Sequence, residues 1–358
     1  MTGTPLRFGL ELEHFIVKKD SKEAVSYMGP NGVEAILLEL KPLYKKCAYS
    51  QGHLIALGRC DIDLSLEPAA QLEVSISPKE TIFEILEVYQ QFWDEIIPIL
   101  KKYSYEMYSV GYQPASKVME LGLLPKKRYE YMNQYFEKIG PYGRQMMRGT
   151  AATQVSIDYY SEEDFKLKYK IAYRLKDILS VWCENTPVYE GEPFNGSALR
   201  TRIWSGTDNR RVDVSSYLKD ETLSFSDYVD FVMQTPVIVN KTGDQECYDE
   251  RTIKDICHER ILSEEELVHC LSMVFPMIRV KQFLEIRFAD SMPIHKAASY
   301  VCILKGLFTD VSATAAWLFS DEFSNKNQQE QTEYMLCKIM EQLPQDEAGY
   351  LQKMTEHV

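Results

Sequence analysis

The sequence predicts an α+β fold built as a single domain over residues 1–358. Segments in which polar and apolar residues alternate predict strands, because successive side chains of a strand point to opposite faces of its sheet. Between them lie segments whose apolar residues recur every three to four positions, which predicts amphipathic helices. The chain has no internal repeat and no linker long enough to force a domain boundary.

The predicted strands share one feature: each has an apolar face and a face that carries carboxylates, arginines or glutamines. In the first strand, Leu10 and Leu12 oppose Glu11 and Glu13. Lysine is missing from these polar positions, although solvated faces of sheets commonly include it. The segments with this alternation are 7–17, 61–66, 71–76, 150–158, 199–204 and 283–288.

The predicted helices have apolar residues at helical spacing, and two of them begin with a serine suited to cap the first turn, Ser161 and Ser263. The polar stretch at the end of the chain keeps the same periodicity. The predicted helical segments are 81–102, 161–182, 226–233, 263–275, 296–319 and 325–358, and the predicted linkers are 111–124, 191–196 and 241–250.

Charge and composition exclude several classes of protein. The formal net charge of −13 disfavours nucleic acid as a partner, because an acidic surface repels phosphate backbones and no basic patch offsets it. No apolar signal segment occupies the first ten residues, and no stretch reaches the roughly 18 apolar residues of a membrane helix. The eight cysteines include no Cys-x-x-Cys pair, which disfavours a zinc ribbon. We therefore expect a soluble, cytoplasmic protein with reduced thiols and no membrane partner.

The common motifs for nucleotide binding and hydrolysis are missing. The chain contains neither the Gly-Lys-[Ser/Thr] of a P-loop nor G-x-G-x-x-G, so a bound nucleotide must be held by metal ions and arginines. His258-Glu259 lacks the second histidine of a zinc protease, and no G-x-S-x-G elbow of a serine hydrolase is present.

The acidic residues of the strands allow two interpretations. A sheet with one solvated face explains each strand taken singly. If the strands share one sheet, however, five carboxylates converge, and two of them about 5 Å apart repel by roughly 3 kcal/mol at an effective dielectric constant near 20. A magnesium or manganese ion, which prefers oxygen ligands, neutralises such a cluster and bridges nucleotide phosphates. The five are Glu11, Glu13, Glu67, Glu73 and Glu285.

Eight short blocks contain these acids and their neighbours. They are Gly9-Leu-Glu-Leu-Glu13, Ser65-Leu-Glu-Pro68 with Gln71-Leu-Glu73, Gly111-Tyr-Gln-Pro114, Pro125-Lys-Lys-Arg-Tyr129, Met146-Met147 with Thr150-Ala151 and Gln154-Val155, Arg200-Thr-Arg-Ile-Trp204 with Thr207-Asp208, Phe275-Pro276 with Arg279, and Leu284-Glu-Ile-Arg287 with Asp290. In content and order, over residues 7–310, they resemble the glutamate–cysteine ligase family, especially its plant and proteobacterial-like branch.

The resemblance implies a curved, largely antiparallel sheet that forms an active-site funnel with helices packed outside, similar to glutamine synthetase. It also implies a shortened helical C-terminal region over about residues 320–358. The implied reaction uses ATP and Mg²⁺ or Mn²⁺. ATP phosphorylates the γ-carboxylate of glutamate, and the amine of cysteine attacks the γ-glutamyl phosphate. The implied partners are small-molecule substrates, and the implied assembly is a monomer or homodimer.

The resemblance also implies roles for particular residues. Arg200 would bind the α-carboxylate of glutamate, since a guanidinium group binds carboxylates through two parallel hydrogen bonds. Arg287 would contact the transferring phosphate, with Glu285 beside it as a second catalytic residue. The metal ligands implied are Glu11, Glu13, Glu67, Glu73, Glu285 and Gln154, the last of which stands where some branches have histidine. The other substrate-pocket residues are Thr150, Trp204 and Arg202, and the other nucleotide contacts are Arg128 and Arg211.

Several alternatives stay open. Trp204 is equally suited to core packing, and Arg202 to a structural salt bridge. Plant-like members have two glycines in place of Ala69-Ala70, asparagine in place of Ser156 and lysine in place of His14, so the substrate pair is uncertain. A ligase of the same fold with another acceptor amine or another acid is one alternative. A catalytically silent binding or regulatory subunit is another, although all five acids are present.

Overall fold

The computed structural model describes residues 6–243 and 245–355, and a nine-stranded sheet dominates the part of the chain that it describes. The strands are β1 Phe8–Lys18, β2 Lys46–Ser50, β3 His53–Arg59, β4 Ile62–Leu66, β5 Leu72–Lys79, β6 Tyr105–Tyr108, β7 Ala152–Asp158, β8 Val188–Tyr189, β9 Glu192–Pro193, β10 Pro236–Thr242, β11 Gln245–Thr252, β12 Ile278–Val280 and β13 Phe283–Asp290.

The helices of the described part are α1 Val33–Leu40, α2 Ile82–Tyr103, α3 Lys127–Phe136, α4 Glu162–Trp182, α5 Leu199–Ser205, α6 Asn209–Val212, α7 Phe225–Met233, α8 Ile253–Glu259, α9 Glu264–Leu271, α10 Ile294–Thr309, α11 Val311–Leu318, α12 Asp321–Ser324, α13 Gln328–Gln342 and α14 Gln345–Thr355. Helices α1, α2, α4 and α10 pack against strands of the nine-stranded sheet, and α3, α8 and α9 pack against the hairpin β10–β11. Short 3₁₀ turns cover Lys41–Leu43 and Ser215–Tyr217, and a π-helical turn covers Gln145–Gly149.

The main sheet is open and antiparallel, in the order β12-β13-β7-β1-β5-β4-β3-β2, with β6 also paired to β1. Two further sheets in the described part of the chain are the two-stranded hairpins β8–β9 and β10–β11. The α+β class and the antiparallel pairing of the sheet, both predicted from the sequence, are confirmed. The sequence did not predict β2, β3, β6, β8, β9, β10, β11 or β12.

The apolar face of the sheet packs against helices, among them α2 and α10. Helix α2 begins with a capping box in which Thr81 and Glu84 bond reciprocally, as the sequence suggests for a helix start. Its buried side recurs at helical spacing through Ile85, Phe92 and Ile96. Burial of each such side chain stabilises the fold by roughly 2 kcal/mol, so the apolar side of the sheet is held rigidly behind the polar side.

The turn between β4 and β5 carries Glu67 toward the polar face. The Ala70 N–H donates to the Glu67 carbonyl at 2.9 Å, and Ala70 has φ = 65°. This left-handed conformation normally favours glycine, since a Cβ atom is crowded there. Alanine nevertheless occupies the position, which is the second of the two sites where plant-like members have glycine.

Three predicted segments differ in the structure. Segment 199–204 is the helix α5 rather than a strand, because Leu199 and Ile203 are buried at a spacing of four while Arg202 is exposed. Segment 241–250 is not a linker, since it contributes to the hairpin β10–β11. Segment 296–319 bends by 94° between α10 and α11, where Asp310 accepts from the N–H groups of Ser312 and Ala313 and caps α11.

The predicted linker 191–196 also contains a short strand, β9, which pairs with β8. The remaining differences concern ends of elements. The helix predicted over 263–275 ends at Leu271, with Ser263 as its cap as expected. The tail predicted over 325–358 divides into α13 and α14 at Pro344, and residues 356–358 lie outside the described part. Among the described helices, none has by itself the length and apolar composition to cross a membrane, and α10 and α11 meet those criteria only when taken together.

Candidate active site

A cavity of about 300 Å³ opens over the polar face of β1, β5 and β7, and we call it the carboxylate cavity. The strand register brings its acids together, since Glu13 of β1 pairs with Glu73 of β5, and Glu11 pairs with Gln154 of β7. Its lining comprises Glu11, Glu13, Glu67, Pro68, Gln71, Glu73, Lys126, Arg128, Tyr129, Met132, Met146, Met147, Thr150, Gln154, Trp204, Ser272, Phe275, Arg279, Lys281 and Arg287.

Ionisation of the acids in this cavity is costly. Burial, followed by the charges of neighbouring acids, raises the pKa of Glu11 to about 8 and that of Glu73 to about 7. Burial also raises the pKa values of Glu13 and Glu67. When the four acids are ionised, they repel one another, and a cation bound between them would relieve that repulsion. The same cavity is also lined by five cations, Lys126, Arg128, Arg279, Lys281 and Arg287, so it can hold an anion as well.

Glu285 lies next to the cavity but is fully buried and does not line it. Arg279 Nε and Arg287 Nη1 donate to its Oε2 at 2.5 and 2.8 Å, and Lys281 Nζ donates to Oε1 at 2.6 Å. Burial opposes ionisation, but Arg279 and Arg287 outweigh it, so the pKa of Glu285 lies below its usual range. Both oxygens are engaged, so in this structure Glu285 anchors three cations that line the cavity. The role of a metal ligand stays a prediction.

Gln154 connects the acidic and cationic parts of the cavity. Its Nε2 donates to Glu13 Oε1 at 2.8 Å, and its Oε1 accepts from Arg287 Nη1. The second oxygen of Glu13 accepts from the Ala152 N–H at 2.7 Å. Gln154 therefore fixes the side chains of Glu13 and Arg287 relative to each other, whether or not it also contacts a ligand.

A second cavity of about 320 Å³ adjoins the first, and we call it the tyrosine cavity. Trp204, Phe275 and Arg287 line both cavities and form the wall between them. The Trp204 and Phe275 rings meet edge to face with centroids 5.8 Å apart, and the Arg287 guanidinium carbon lies 5.8 Å from the Trp204 ring centre. The other lining residues are Tyr169, Tyr173, Lys176, Asp177, Ser180, Arg200, Thr201, Ser205, Asn209, Val212, Asp213, Val214, Pro276, Met277 and Ile278.

Arg200 is the most unusual group in the tyrosine cavity. It is 3% exposed, and its Nε and Nη1 atoms have no hydrogen-bond partner among the described residues. The indole N–H of Trp204 is likewise buried without a partner. Buried donors are normally paired, and an unpaired charged group is especially costly. These orphaned donors therefore indicate a site for an anionic or carbonyl-bearing ligand.

Thr150 and Arg128 lie in the carboxylate cavity, as the resemblance implies. Thr150 Oγ1 donates to the Met146 carbonyl at 2.7 Å, at the end of the π-helical turn, so its hydroxyl is already engaged. Arg128 donates to the side chain and carbonyl of Ser272, both at 2.8 Å, which holds its guanidinium at the cavity edge. Contact of either residue with a ligand stays a prediction.

Two predicted site residues lie elsewhere. Arg202 is exposed and lines neither cavity, because α5 turns it away from Arg200. Arg211 is fully buried and its donors are taken by Asp208 at 2.9 Å and by two backbone carbonyls. The guanidinium also lies 4.9 Å from the Tyr135 ring centre. In this structure Arg211 therefore holds α6 to its surroundings and lines neither cavity, and its contact with nucleotide phosphate stays a prediction.

Three cationic site residues were missed as candidates: Lys126, Arg279 and Lys281. Arg279 pairs with Glu285 across the β12–β13 hairpin, and Lys281 lies in the turn of that hairpin. The sequence does place two basic residues just before the strand of Glu285, which could have marked them as site residues. Only the register of the β12–β13 hairpin shows that this segment folds back beside Glu285. Lys126 stands in the block that runs to Tyr129, where only Arg128 was singled out.

A divalent metal ion can be tested against these residues. Among the described residues, no three His, Cys, Asp or Glu side chains are gathered closely enough to hold a metal ion as they stand. The donor chemistry nevertheless fits, because Glu11, Glu13, Glu67 and Glu73 offer carboxylate oxygens whose mutual repulsion a cation would relieve. The residues present thus suit magnesium or manganese, with side-chain adjustment on binding.

The chain is similar in sequence to plant glutamate–cysteine ligases. It is 27% identical to a chloroplastic glutamate–cysteine ligase of Nicotiana tabacum over 72% of this chain and 51% of that protein. It is 27% identical to chloroplastic glutamate–cysteine ligase B of Oryza sativa subsp. japonica over 85% of this chain and 62% of that protein. The chain thus spans about half to three fifths of the length of these curated relatives.

Two solved structures resemble the fold. A bifunctional glutathione synthetase from Pasteurella multocida matches 99% of this chain and 47% of its own, with a TM-score of 0.52 at 15% identity. A glutamate–cysteine ligase from Francisella tularensis in complex with AMP matches 98% and 81%, with a TM-score of 0.55 at 10% identity. The model of glutamate-cysteine ligase family 2 matches residues 7–336. Because that match covers most of the sequence, the chain belongs to the glutamate–cysteine ligase family.

Proposed function

We propose that the protein is an ATP-dependent ligase that joins L-glutamate to L-cysteine through a γ-glutamyl phosphate and yields γ-glutamylcysteine. One observation carries the proposal: a cavity of acids and cations shares the wall residue Arg287 with a second cavity that contains the unpaired guanidinium of Arg200. The first suits polyphosphate with divalent ions, and the second suits an amino-acid carboxylate. The family membership and the AMP complex of the Francisella tularensis protein support the same reading.

The polar face of the sheet would form one wall of the active site. We infer that the sheet curves into a funnel similar to that of glutamine synthetase, with the helices outside. The carboxylate cavity and the tyrosine cavity would be two parts of that funnel, which meet at Trp204, Phe275 and Arg287.

Glutamate would lie in the inner part of the tyrosine cavity. Its α-carboxylate would accept from the free Nε and Nη1 of Arg200, which removes the cost of those unpaired buried donors. Its γ-carboxylate would reach Arg287 at the shared wall, past the Trp204 ring. This orientation brings the reacting carboxylate to the boundary of the phosphate-binding cavity, which is what phosphoryl transfer requires.

ATP phosphates would lie in the carboxylate cavity, opposite the cations that line it. Arg279, Lys281 and Arg287 are held in place by Glu285, so their orientation is fixed before the nucleotide binds. Glu11, Glu13, Glu67 and Glu73 would hold magnesium or manganese, with Gln154 and Glu285 as the further ligands that the resemblance implies, and the metal would neutralise phosphate charge. Arg128 is suited to contact the phosphates from the Ser272 side.

The chemistry then needs two displacements. An oxygen of the glutamate γ-carboxylate attacks the γ-phosphorus of ATP, the bond to ADP breaks, and Arg287 stabilises the charge on the transferred group. The amine nitrogen attacks the acyl carbon, the carbon–oxygen bond to phosphate breaks, and the proton that the nitrogen loses passes to the departing phosphate. Hydrogen phosphate and the amide are released, so all atoms are accounted for.

The direct test is ADP release by the purified protein with glutamate and a panel of amines. Release with cysteine supports the proposal, and the dipeptide should appear in equal amount. Release only with another amine would show that the acceptor is not cysteine, an alternative left open by the departures from plant-like members at His14, Ala69, Ala70 and Ser156. No release with any pair would indicate a binding or regulatory subunit. Glu11→Gln and Glu285→Gln should each abolish release while the protein remains folded.

Three expectations from the sequence are kept as proposals. The chain would act as one catalytic domain over residues 1–358, as a monomer or homodimer, and in the cytoplasm. The relatives in Nicotiana tabacum and Oryza sativa are described as chloroplastic. Fractionation of the source cells and light scattering of the purified protein test the last two.

A further inference from the structure

The five cations that line the carboxylate cavity differ in how they are held. Four of them donate hydrogen bonds to Glu285 or to Ser272. The ammonium of Lys126 is the exception, since it forms no hydrogen bond or ion pair with any described residue and lies 5.0 Å from the Tyr129 ring centre. Lysine carries its charge on a flexible stem of four carbons, so this ammonium is free to follow a ligand.

The backbone on both sides of Lys126 is fixed against the turn between β4 and β5. The Leu124 N–H donates to the Pro68 carbonyl at 2.8 Å, and the Tyr129 hydroxyl donates to the Leu66 carbonyl at 3.1 Å. These two bonds hold the segment that contains Lys126 beside the turn. The side chain therefore enters the carboxylate cavity from its β4 side, on a backbone that is anchored at two points.

The acids of the cavity lie between Lys126 and the cations at β13. In the sheet order, β13 and β4 are separated by β7, β1 and β5. Glu11 and Glu13 belong to β1 and Glu73 belongs to β5, whereas Arg287 belongs to β13. A polyphosphate whose terminal phosphate lies at Arg287 therefore extends across the metal-binding acids toward Lys126.

The surroundings of the Lys126 ammonium favour an anionic ligand. Burial, followed by the charge of Arg128, lowers the pKa of Lys126, and Glu67 is the acid that opposes this effect most. A partly buried ammonium that has no acceptor loses hydration without compensation. Phosphate oxygens would supply the missing acceptors. Arg128 is less able to move toward them, because two of its nitrogens already donate to Ser272 at 2.8 Å.

We infer that Lys126 binds the phosphates that leave as ADP and stabilises the negative charge that collects on them during phosphoryl transfer. The inference rests on the proposed ligase function and adds a catalytic residue to it. In this step the bond between the γ-phosphorus and the bridging oxygen breaks, and that oxygen keeps the electron pair as part of ADP. The ammonium of Lys126 donates hydrogen bonds to the β-phosphate oxygens and transfers no proton.

Protection from acetylation tests the contact without any turnover. Wild-type protein is treated with the N-hydroxysuccinimide ester of acetic acid, and fragment-ion mass spectrometry follows Lys126 and its exposed neighbour Lys127 separately. ADP with Mn²⁺, at about ten times its Kd, should slow acetylation of Lys126 about tenfold, because the bound phosphates cover the ammonium. Acetylation of Lys127 should stay within about twofold. Protection by ATP but not by ADP would overturn the inference, since Lys126 would then contact only the transferred phosphate.

Substitutions test the effect on the reaction, and all rates are measured at saturating Mn²⁺. Lys126→Gln should lower kcat about a hundredfold, as expected for loss of one preorganised donor to developing charge. Its KM for glutamate should stay within about twofold of wild type. Lys126→Arg keeps the charge and should recover at least about a tenth of the wild-type kcat. Lys127→Gln is the matched control, because it makes the same change at an adjacent exposed position, and it should match wild type.

The outcomes separate the two proposals. If wild type releases no ADP with any amine, the ligase function fails, and the role of Lys126 in phosphoryl transfer fails with it. If wild type is an active ligase but ADP does not protect Lys126, or Lys126→Gln keeps kcat within about threefold of wild type, the inference alone fails. It also fails if a higher Mn²⁺ concentration restores the rate of Lys126→Gln, because Lys126 would then act only through the charge of Glu67.

Discussion

Arg200 and Trp204 stand one helical turn apart on α5, with the guanidinium carbon of Arg200 5.8 Å from the centre of the Trp204 ring. Arg287 approaches the same ring at 5.8 Å, so the indole lies close to two guanidinium groups. Cation–π contact of this kind stabilises buried arginines without using their N–H donors. The donors of Arg200 consequently remain free for a ligand.

Arg200→Ala should therefore raise the KM for glutamate about a hundredfold, as expected for loss of about 3 kcal/mol from a buried guanidinium–carboxylate pair. The KM for ATP should change little. Arg202→Ala is a control on the same helix, because Arg202 is exposed and lines neither cavity. Steady-state kinetics with glutamate varied measure both, and equal effects of the two substitutions would contradict the assigned site.

Glu73→Gln should stabilise the metal-free protein. The raised pKa of Glu73, about 7, means that its ionised form opposes folding, so stability is lost as pH rises from about 4.5 through 7. At pH 8 the neutral amide should increase the free energy of unfolding by about 2 kcal/mol, as measured by urea denaturation in EDTA. Turnover should be lost.

The same variant tests metal binding. Saturating Mn²⁺ should raise the melting temperature of wild type, because a bound ion stabilises the folded state and relieves repulsion between the acids. The rise should be much smaller in Glu73→Gln. Glu87→Gln, on the exposed side of α2, serves as control and should respond to Mn²⁺ as wild type does. An equal rise in all three proteins would place the ion elsewhere.

Arg211→Met should unfold or strongly destabilise the protein. The side chain is 0% exposed and pairs with Asp208, so its loss leaves that buried carboxylate with only the exposed Arg210, at 3.3 Å, as a cationic partner. Removal of one partner of a buried pair costs about 3–5 kcal/mol. Denaturation should show this loss, while the KM for ATP of the protein that remains folded should equal that of wild type. A selective rise in that KM would restore Arg211 as a nucleotide contact.

His14 should make the protein sensitive to acid. It is fully buried with Nδ1 2.8 Å from Ser109 Oγ, and burial lowers its pKa to about 3. Since an unfolded histidine titrates near 6.5, the unfolded state binds the extra proton first, and stability is lost as pH falls from about 6.5 toward 3.

The measurement compares His14→Gln with wild type by urea denaturation at pH 7.5 and 4.5. Wild type should be the more stable at pH 7.5. The difference in free energy of unfolding between the two proteins should decrease by about 3 kcal/mol at pH 4.5, because only wild type must keep a buried histidine neutral there. Groups that titrate in both proteins cancel in this difference. A gap independent of pH would show that His14 titrates normally in the folded protein.

The strands that carry Glu11, Glu13, Glu73 and Glu285 were readable from sequence because strand alternation is local. A residue's face depends only on its neighbours, so the acids could be assigned to one side before the sheet order was known. The same local pattern gave a wrong prediction at α5, where a strand was expected over 199–204. Arg200 and Arg202 alternate over too few residues to separate a strand from a helix, and only the burial of Leu199 and Ile203 decides it.

The sequence by itself determined the family, the α+β class and the identity of the acids that surround the carboxylate cavity. Tertiary structure decided the rest: that Glu285 anchors Arg279, Lys281 and Arg287, that Arg211 belongs to the core, and that Trp204 divides two cavities. Those facts depend on the register of the β12–β13 hairpin and on contacts between distant residues, such as Arg211 with Met273 and Arg287 with Trp204. Such contacts follow from strand register and helix packing, which no local pattern specifies.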